Sequence, residues 1–470
     1  MSLETLITQL SNKEVTPLQL VQEAITKIES QDHLINAVVH RRFDKARMEA
    51  HRDYSKTVFK GIPILIKNLS QDLKGEPSTA GSKLLKDNIS KETNHFVRKI
   101  QELGFIIIGQ TNTPEFGFKN ITDSQLYGHT VHPFDHEKSP GGSSGGAAAA
   151  LLMDYVEVVS ASDGGGSIRI PASFCGLIGL KPTRGSMPVG PNGYRGWQGA
   201  SVNFFLTKSL SDTKLLFNHM QTNTIEAPFN YVVADEIERQ SLKIAYSVKS
   251  PVHSEVSDDA INAVKQTVEN LRMLGHKVVE EIPPIDGSSL MDSYYLVNGV
   301  ETAAMMKQIE NNISRKLTID DMELMTWVIY QYGLRVKGYQ MVDALNAWDK
   351  YSAIMHEFHE QYDLYLTPTT AKTAPRIDTE YFDEAFKLEM MTIENHPNPL
   401  EIVWRMFEKS LAYTPFTMLA NITGQPAISL PLYTNHSHEP LGVQFMAGKG
   451  QESLLFRISE QLLNIERNRQ

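Results

Sequence analysis

The chain has 470 residues and a formal net charge of −10, with 45 basic side chains against 55 acidic ones. That balance, without any Lys/Arg-rich run, argues against a nucleic-acid partner, because neutralising phosphates needs clustered cations. Cys175 is the single cysteine, so no intrachain disulfide can form, as is usual in a reducing cytosol.

The first fourteen residues contain no basic stretch leading into an apolar run, so the sequence predicts no signal peptide. Thr16, Pro17 and Gln19 read as N-cap, N1 and N3 of a helix. Val21, Ala24, Ile25 and Ile28 follow at helical spacing and give it one apolar face. Residues 61–68 (GIPILIKN) then change the pattern to a short apolar run, as a buried strand would, ending on Lys67. Residues 96–103 are helical in pattern, and 105–109 (FIIIG) form a second buried strand.

Residues 147–153 predict a helix and 156–159 (VEVV) a strand, with further strands at 242–246 and 364–366. The 147–153 stretch is the most apolar of the chain but too short to span a bilayer. The sequence therefore predicts a soluble cytoplasmic protein with no membrane partner. Strands alternating with helices argue for an α/β layered fold. Residues 289–361 are mostly helical in pattern and rich in Met, Tyr and Trp, which suits either core packing or a cap that shapes a substrate pocket. No Pro/Gly/Ser-rich linker divides the chain, so the expectation is one domain over residues 1–470.

Two glycine–serine clusters stand out, at 139–146 (SPGGSSGG) and 162–171 (SDGGGSIRIP). Taken singly, each reads as a flexible loop as readily as a site. Consecutive glycines, however, let backbone N–H groups approach a ligand without obstruction. Gly164, Gly165, Gly166 and Ser167 lie between a predicted strand and a segment whose Pro171 suits a helix start. Their N–H groups can therefore converge on an anion, the arrangement needed for the oxyanion of acyl transfer.

A serine nucleophile needs a base. Residues 141–145 (GGSSG) match the G-x-S-x-G pattern of α/β-hydrolases, but that motif requires a hydrophobic strand before it. The preceding residues 135–140 (DHEKSP) cannot be one, which disfavours an esterase with Ser143 as nucleophile. No HExxH zinc pattern occurs among the fifteen histidines, and clusters such as His129 and His132 read as surface or packed histidines rather than ligands. Lysine is the other candidate base, since burial lowers its pKa. Lys67, at the end of an apolar strand, is placed for that role, although a strand-end lysine commonly reaches water.

Together these segments resemble the amidase-signature family. Ser143 and Ser167 are separated by 167 − 143 = 24 residues, the spacing of that family's two catalytic serines. Residues 61–68 resemble its lysine segment, with Asn68 where Asp is frequent. The similarity continues through 109–116 (GQTNTPEF), 171–182 (PASFCGLIGLKP), 366–369 (LTPT), 421–431 (NITGQPAISLP) and 442–444 (GVQ). The resemblance implies a central mixed β-sheet covered by helices on both faces and an amide-hydrolysing activity that needs no cofactor. It also implies roles. Ser167 is the nucleophile, Ser143 follows a cis Gly142–Ser143 peptide and relays protons, and Lys67 is the neutral base. The N–H groups of Gly164, Gly165, Gly166 and Ser167 form the oxyanion hole, while Ser144, Asp163 and Arg169 support the site.

The local pattern around Ser167 is nearest to 6-aminohexanoate cyclic-dimer hydrolase and related bacterial amidases. Ile170 stands where the glutaminase chain of glutamyl-tRNA amidotransferase usually has Gln, which ranks that glutaminase second. A catalytically inactive amide-binding protein is the alternative of a different class, and the joint presence of Lys67, Ser143 and Ser167 speaks against it. The expected partner is a small-molecule amide, and a homodimer is compatible with the resemblance. Tyr194, Trp197, Phe204 and Phe205 are candidates for lining an acyl pocket, with core packing the alternative for each.

Overall fold

The computed structural model describes residues 1–235 and 240–469. The predicted first helix runs over Pro17–Ile35 with the expected capping box, the Gln19 N–H donating to Thr16 Oγ1 at 3.2 Å and the Thr16 N–H to Gln19 Oε1 at 2.8 Å. Val21, Ala24, Ile25 and Ile28 are buried, as their spacing requires.

The centre is a mixed sheet of eleven strands. Edge to edge these are Val38–Arg41, Ile106–Thr111, Pro63–Lys67, Val159–Asp163, Val202–Thr207, Ile178–Lys181, Ala427–Thr434, Pro440–Ala447, Leu364–Pro368, Lys243–Tyr246 and Lys277–Glu280. Pro63–Lys67 lies parallel to both of its neighbours, so its carboxyl end and that of Val159–Asp163 share one side of the sheet. The central strands pair antiparallel.

Side-chain alternation shows that both faces are covered. Leu364 and Leu366 join the main apolar cluster, while Tyr365 between them packs with Met355 and Phe358 of the helix Gly338–Gln361 on the other side. Ile428 and Ala427, and Phe445 and Met446, divide in the same way.

Three elements depart from the sequence pattern. The strand expected at 156–159 begins at Val159 and runs on through Ser160, Ala161, Ser162 and Asp163, all buried. Its polar side chains are accommodated by hydrogen bonds instead of apolar contact, which hydropathy cannot register. The helix expected at 147–153 starts earlier, at Gly145, because close packing selects glycine there. A Cβ on Gly146 would lie 2.5 Å from the Asn112 backbone nitrogen. The helical region also extends past residue 361. The helices Gly287–Ile313, Leu324–Arg335 and Gly338–Gln361 share one apolar cluster with Glu384–Met391 and Pro399–Leu411.

Among the described residues, no helix is long and apolar enough to cross a membrane.

Candidate active site

Lys67 ends its strand with a fully buried side chain. Its Nζ lies 2.7 Å from Ser143 Oγ, 2.9 Å from Ser144 Oγ and 3.0 Å from Ser162 Oγ. Burial drives the lysine pKa down from 10.5 to about 7, against an opposing pull from the Asp163 carboxylate. The three hydroxyls both donate and accept, so they satisfy an ammonium with three N–H donors as well as an amine with two and a lone pair. This shell accommodates either protonation state.

The lysine backbone is fixed too. Gln71 Oε1 accepts from the Lys67 N–H at 2.8 Å and from Ser160 Oγ at 2.5 Å, and Gln71 Nε2 donates to the Ala161 carbonyl at 2.9 Å. Gln71 thereby ties the lysine strand to the serine strand. Ser162 and Gln71 were absent from the sequence-based candidates. Their available signal was the alternation of Ser160 and Ser162, which puts both on one face of a strand the hydropathy pattern ended too soon.

Ser143 and Ser144 are buried immediately before the helix Gly145–Leu152. The Gly142–Ser143 peptide is cis, as the resemblance implies. Thr122 Oγ1 accepts the Gly145 N–H at 3.1 Å and donates to the Gly141 carbonyl at 2.9 Å, clasping the loop.

The second loop turns about Asp163. Burial opposes the Asp163 charge, but the Arg169 guanidinium and the Asn421 amide overcome it and hold the carboxyl at about 2. Arg169, itself fully buried, binds both carboxylate oxygens at 2.9 Å and donates to Asn421 Oδ1 and Gln444 Oε1, each at 2.6 Å. The N–H of Gly166 donates to Asp163 Oδ1 at 2.7 Å. This corrects one expectation. Gly166 cannot offer the same hydrogen to an oxyanion while that bond holds.

The Tyr294 hydroxyl donates to the Gly164 carbonyl at 3.1 Å, and Thr417 Oγ1 to the Gly165 carbonyl at 2.5 Å. In a trans peptide the C=O and the following N–H point in opposite directions. Tyr294 thus turns the Gly165 N–H away from itself. A Cβ on Gly165 would lie 2.6 Å from the Tyr294 oxygen, so only glycine allows this approach.

Ser143, Ser162, Gly164, Gly165 and Ser167 share one cavity of about 350 Å³. Ser167 is half-buried on its wall, and its hydroxyl makes no hydrogen bond to another described residue. The structure therefore brings Lys67, Ser143, Ser144 and Ser162 into one bonded cluster and leaves Ser167 open to the cavity. About half of the remaining wall comes from the helical layer, including Met291, Tyr294, Val297 and Met305, and the rest from loops that include Phe116, Phe118 and Trp197.

Of the four aromatic candidates, only Trp197 lines the cavity. Phe204 and Phe205 are core residues of a central strand, packed against Phe217 and Phe96, and Tyr194 packs on His95. A strand alternates its faces while both are covered here, so adjacent aromatics in it are both buried. Among the described residues, no group of three or more His, Cys, Asp or Glu side chains is placed to hold a metal.

The Amidase family model matches residues 19–456. A lipoamidase of Enterococcus faecalis is 36% identical over 457 residues, which are 96% of this chain but 62% of that protein's length. A 6-aminohexanoate-cyclic-dimer hydrolase of Pseudomonas sp. (strain NK87) is 30% identical over 466 residues, covering 96% of this chain and 91% of the relative. The solved structure of 6-aminohexanoate cyclic dimer hydrolase complexed with substrate superposes with a TM-score of 0.89 at 27% identity, covering 98% of this chain and 96% of that one. The corresponding chain of the Thermotoga maritima glutamyl-tRNA(Gln) amidotransferase is more distant, at TM-score 0.73 and 25% identity over 98% of this chain and 94% of that one.

Proposed function

The chain belongs to the amidase family, and from that premise we propose that it hydrolyses an amide through an acyl-enzyme on Ser167. One observation carries the reading: a fully buried Lys67 with its pKa near 7 and its Nζ within 3.0 Å of three serine hydroxyls. A positive lysine in that place would be costly, whereas a neutral one is a base matched to physiological pH.

Ser167 Oγ attacks the carbonyl carbon and gives its proton to Ser143, which passes its own to Lys67 Nζ. The N–H groups of Gly165 and Ser167, with Gly164, meet the developing oxyanion, while Gly166 braces the loop through Asp163. The proton returns through Ser143 to the leaving nitrogen as the C–N bond breaks and the amine departs. Water then enters by the same relay, the ester bond to Ser167 breaks, and the acid leaves. Ser144 and Ser162 hold Lys67 Nζ in line, and Asp163 with Arg169 holds the loop shape.

The relatives' names frame the substrate. One names lipoamide chemistry and the other a cyclic dimer of 6-aminohexanoate, an amide built on an unbranched aliphatic chain. The largely apolar wall supplied by the helical region around 289–361, with Met291, Val297, Met305 and Trp348, suits amides of that class. We read that region as the substrate-shaping part of a single amidase domain.

The test is Ser167→Ala with a serine-reactive fluorophosphonate as probe. The expected outcome is loss of turnover and of labelling with the circular dichroism spectrum retained. Full activity in Ser167→Ala, or labelling that moves to Ser143, overturns the mechanism.

A further inference from the structure

The wall of the cavity carries a carboxylate, Glu301, half-buried on the helix Gly287–Ile313. Its hydrogen-bond partner is the Gln198 amide, and it has no cationic partner among the described residues. Lys119 also lines the cavity, but its Nζ is already held by Glu323 at 2.5 Å and Asp123 at 3.1 Å, so carboxylates outnumber it there. Phe118 and Trp197 stand on the same wall as an edge-to-face pair with ring centroids 6.0 Å apart. Aromatic faces beside an unpaired carboxylate favour a cation.

The helix sets the distance. Tyr294 marks the oxyanion loop through its bond to the Gly164 carbonyl. Glu301 follows seven positions later, on the same helix face about two turns or ~10 Å further along. A substrate filling the cavity removes water from Glu301, and an unpaired buried carboxylate is unfavourable. An ammonium at that point offsets the cost, and a methyl group does not.

We propose that Glu301 selects amides carrying a primary ammonium about 10 Å from the scissile carbonyl, at the end of an extended chain of roughly eight bonds. This rests on Ser167 being the acylated residue and names the substrate class of that same cavity. Val297, one turn before Glu301 and between it and Tyr294, lies beside the aliphatic part of the chain.

The experiment is a selectivity measurement on three anilides of one acyl length: ω-ammonium, unsubstituted and ω-carboxylate. A second set bears the ammonium on the amine side. The set that shows the preference assigns the side on which the cation is recognised. The expected wild-type result is a preference for the ammonium substrate of roughly five- to tenfold in kcat/KM over its neutral counterpart. Glu301→Gln should bring that ratio towards one, and Glu301→Lys should turn it in favour of the carboxylate. A wild-type enzyme indifferent to the ammonium in both sets, or a ratio that survives in Glu301→Gln, overturns the proposal. Calorimetric binding of the same compounds to Ser167→Ala reads the Glu301 preference without turnover, so a failure of the serine mechanism is distinguishable from a failure of this inference.

Discussion

Two layers of this molecule are built from different residues and do different work. The sheet layer packs Ala, Val, Ile and Leu around Pro63–Lys67 and Val159–Asp163, and it fixes Lys67, Ser143, Ser144 and Ser162 with bonds of 2.7–3.0 Å. The helical layer mixes aliphatic residues with a larger share of Met, Tyr, Trp and Phe and supplies a large part of the cavity wall. Branched aliphatics in a sheet hold one arrangement, whereas flexible thioethers on helices adapt to the shape of what they contact. On the proposed mechanism, chemistry belongs to the sheet layer and substrate choice to the helical one.

The largest effect should come from the rigid layer. Lys67→Ala should lower kcat by roughly 10⁴-fold or more, the scale seen when a member of a catalytic triad is removed. The wild-type pH profile carries the same information. Lys67 must be neutral to accept a proton, and its pKa is about 7. Activity should therefore be full above neutrality and fall about tenfold per pH unit below about 7. A rate that stays flat to about pH 5 would remove lysine from the mechanism.

Next in size is the pair beneath the oxyanion loop. Arg169→Met leaves the Asp163 carboxylate buried without its cation, a loss expected to cost about 3–5 kcal/mol in denaturant unfolding. The linkage has a definite sign. The Asp163 pKa is depressed from 3.8 to about 2, so its stabilisation is present above pH 3.8 and is lost as pH falls through about 2. The variant should lose that contribution, and with it part of the acid resistance of the wild-type chain.

The smallest effect tests the seam between the layers. Tyr294→Phe removes the donor on the Gly164 carbonyl while keeping the ring. The Gly165 N–H then loses both its orientation and the polarisation that a bonded carbonyl confers. The expectation is a fall in kcat of roughly tenfold, below the 10²–10³ of losing an oxyanion donor outright. KM should change little, and affinity for an aldehyde that forms a tetrahedral adduct should fall in parallel with kcat. An equal loss across KM, kcat and unfolding midpoint would mean that Tyr294 only packs, and the division between layers would need redrawing.

Much of the candidate site was legible because its signals are local. The capping box at Thr16, the apolar strand ending on Lys67 and the 24-residue separation of Ser143 from Ser167 are properties of short segments or of spacing. Strand–helix alternation was sufficient to expect an α/β fold, and the family resemblance that these segments carry singled out Lys67, Ser143 and Ser167. Ser162 escaped because a buried polar strand has no hydropathy signature, and its hydroxyl is satisfied only by Lys67 arriving from the neighbouring strand.

The sequence by itself determined which groups are available for the chemistry and where the backbone must be bare, because composition and spacing act within a few residues. Only the tertiary structure decided how they are used. It commits the Gly166 N–H to Asp163, turns Gly165 by a hydroxyl from Tyr294, buries Phe204 and Phe205, and brings Glu301 into the same cavity as Ser167. Each of these joins residues distant in the chain or sets the direction of one hydrogen, and burial and direction arise only when the layers meet.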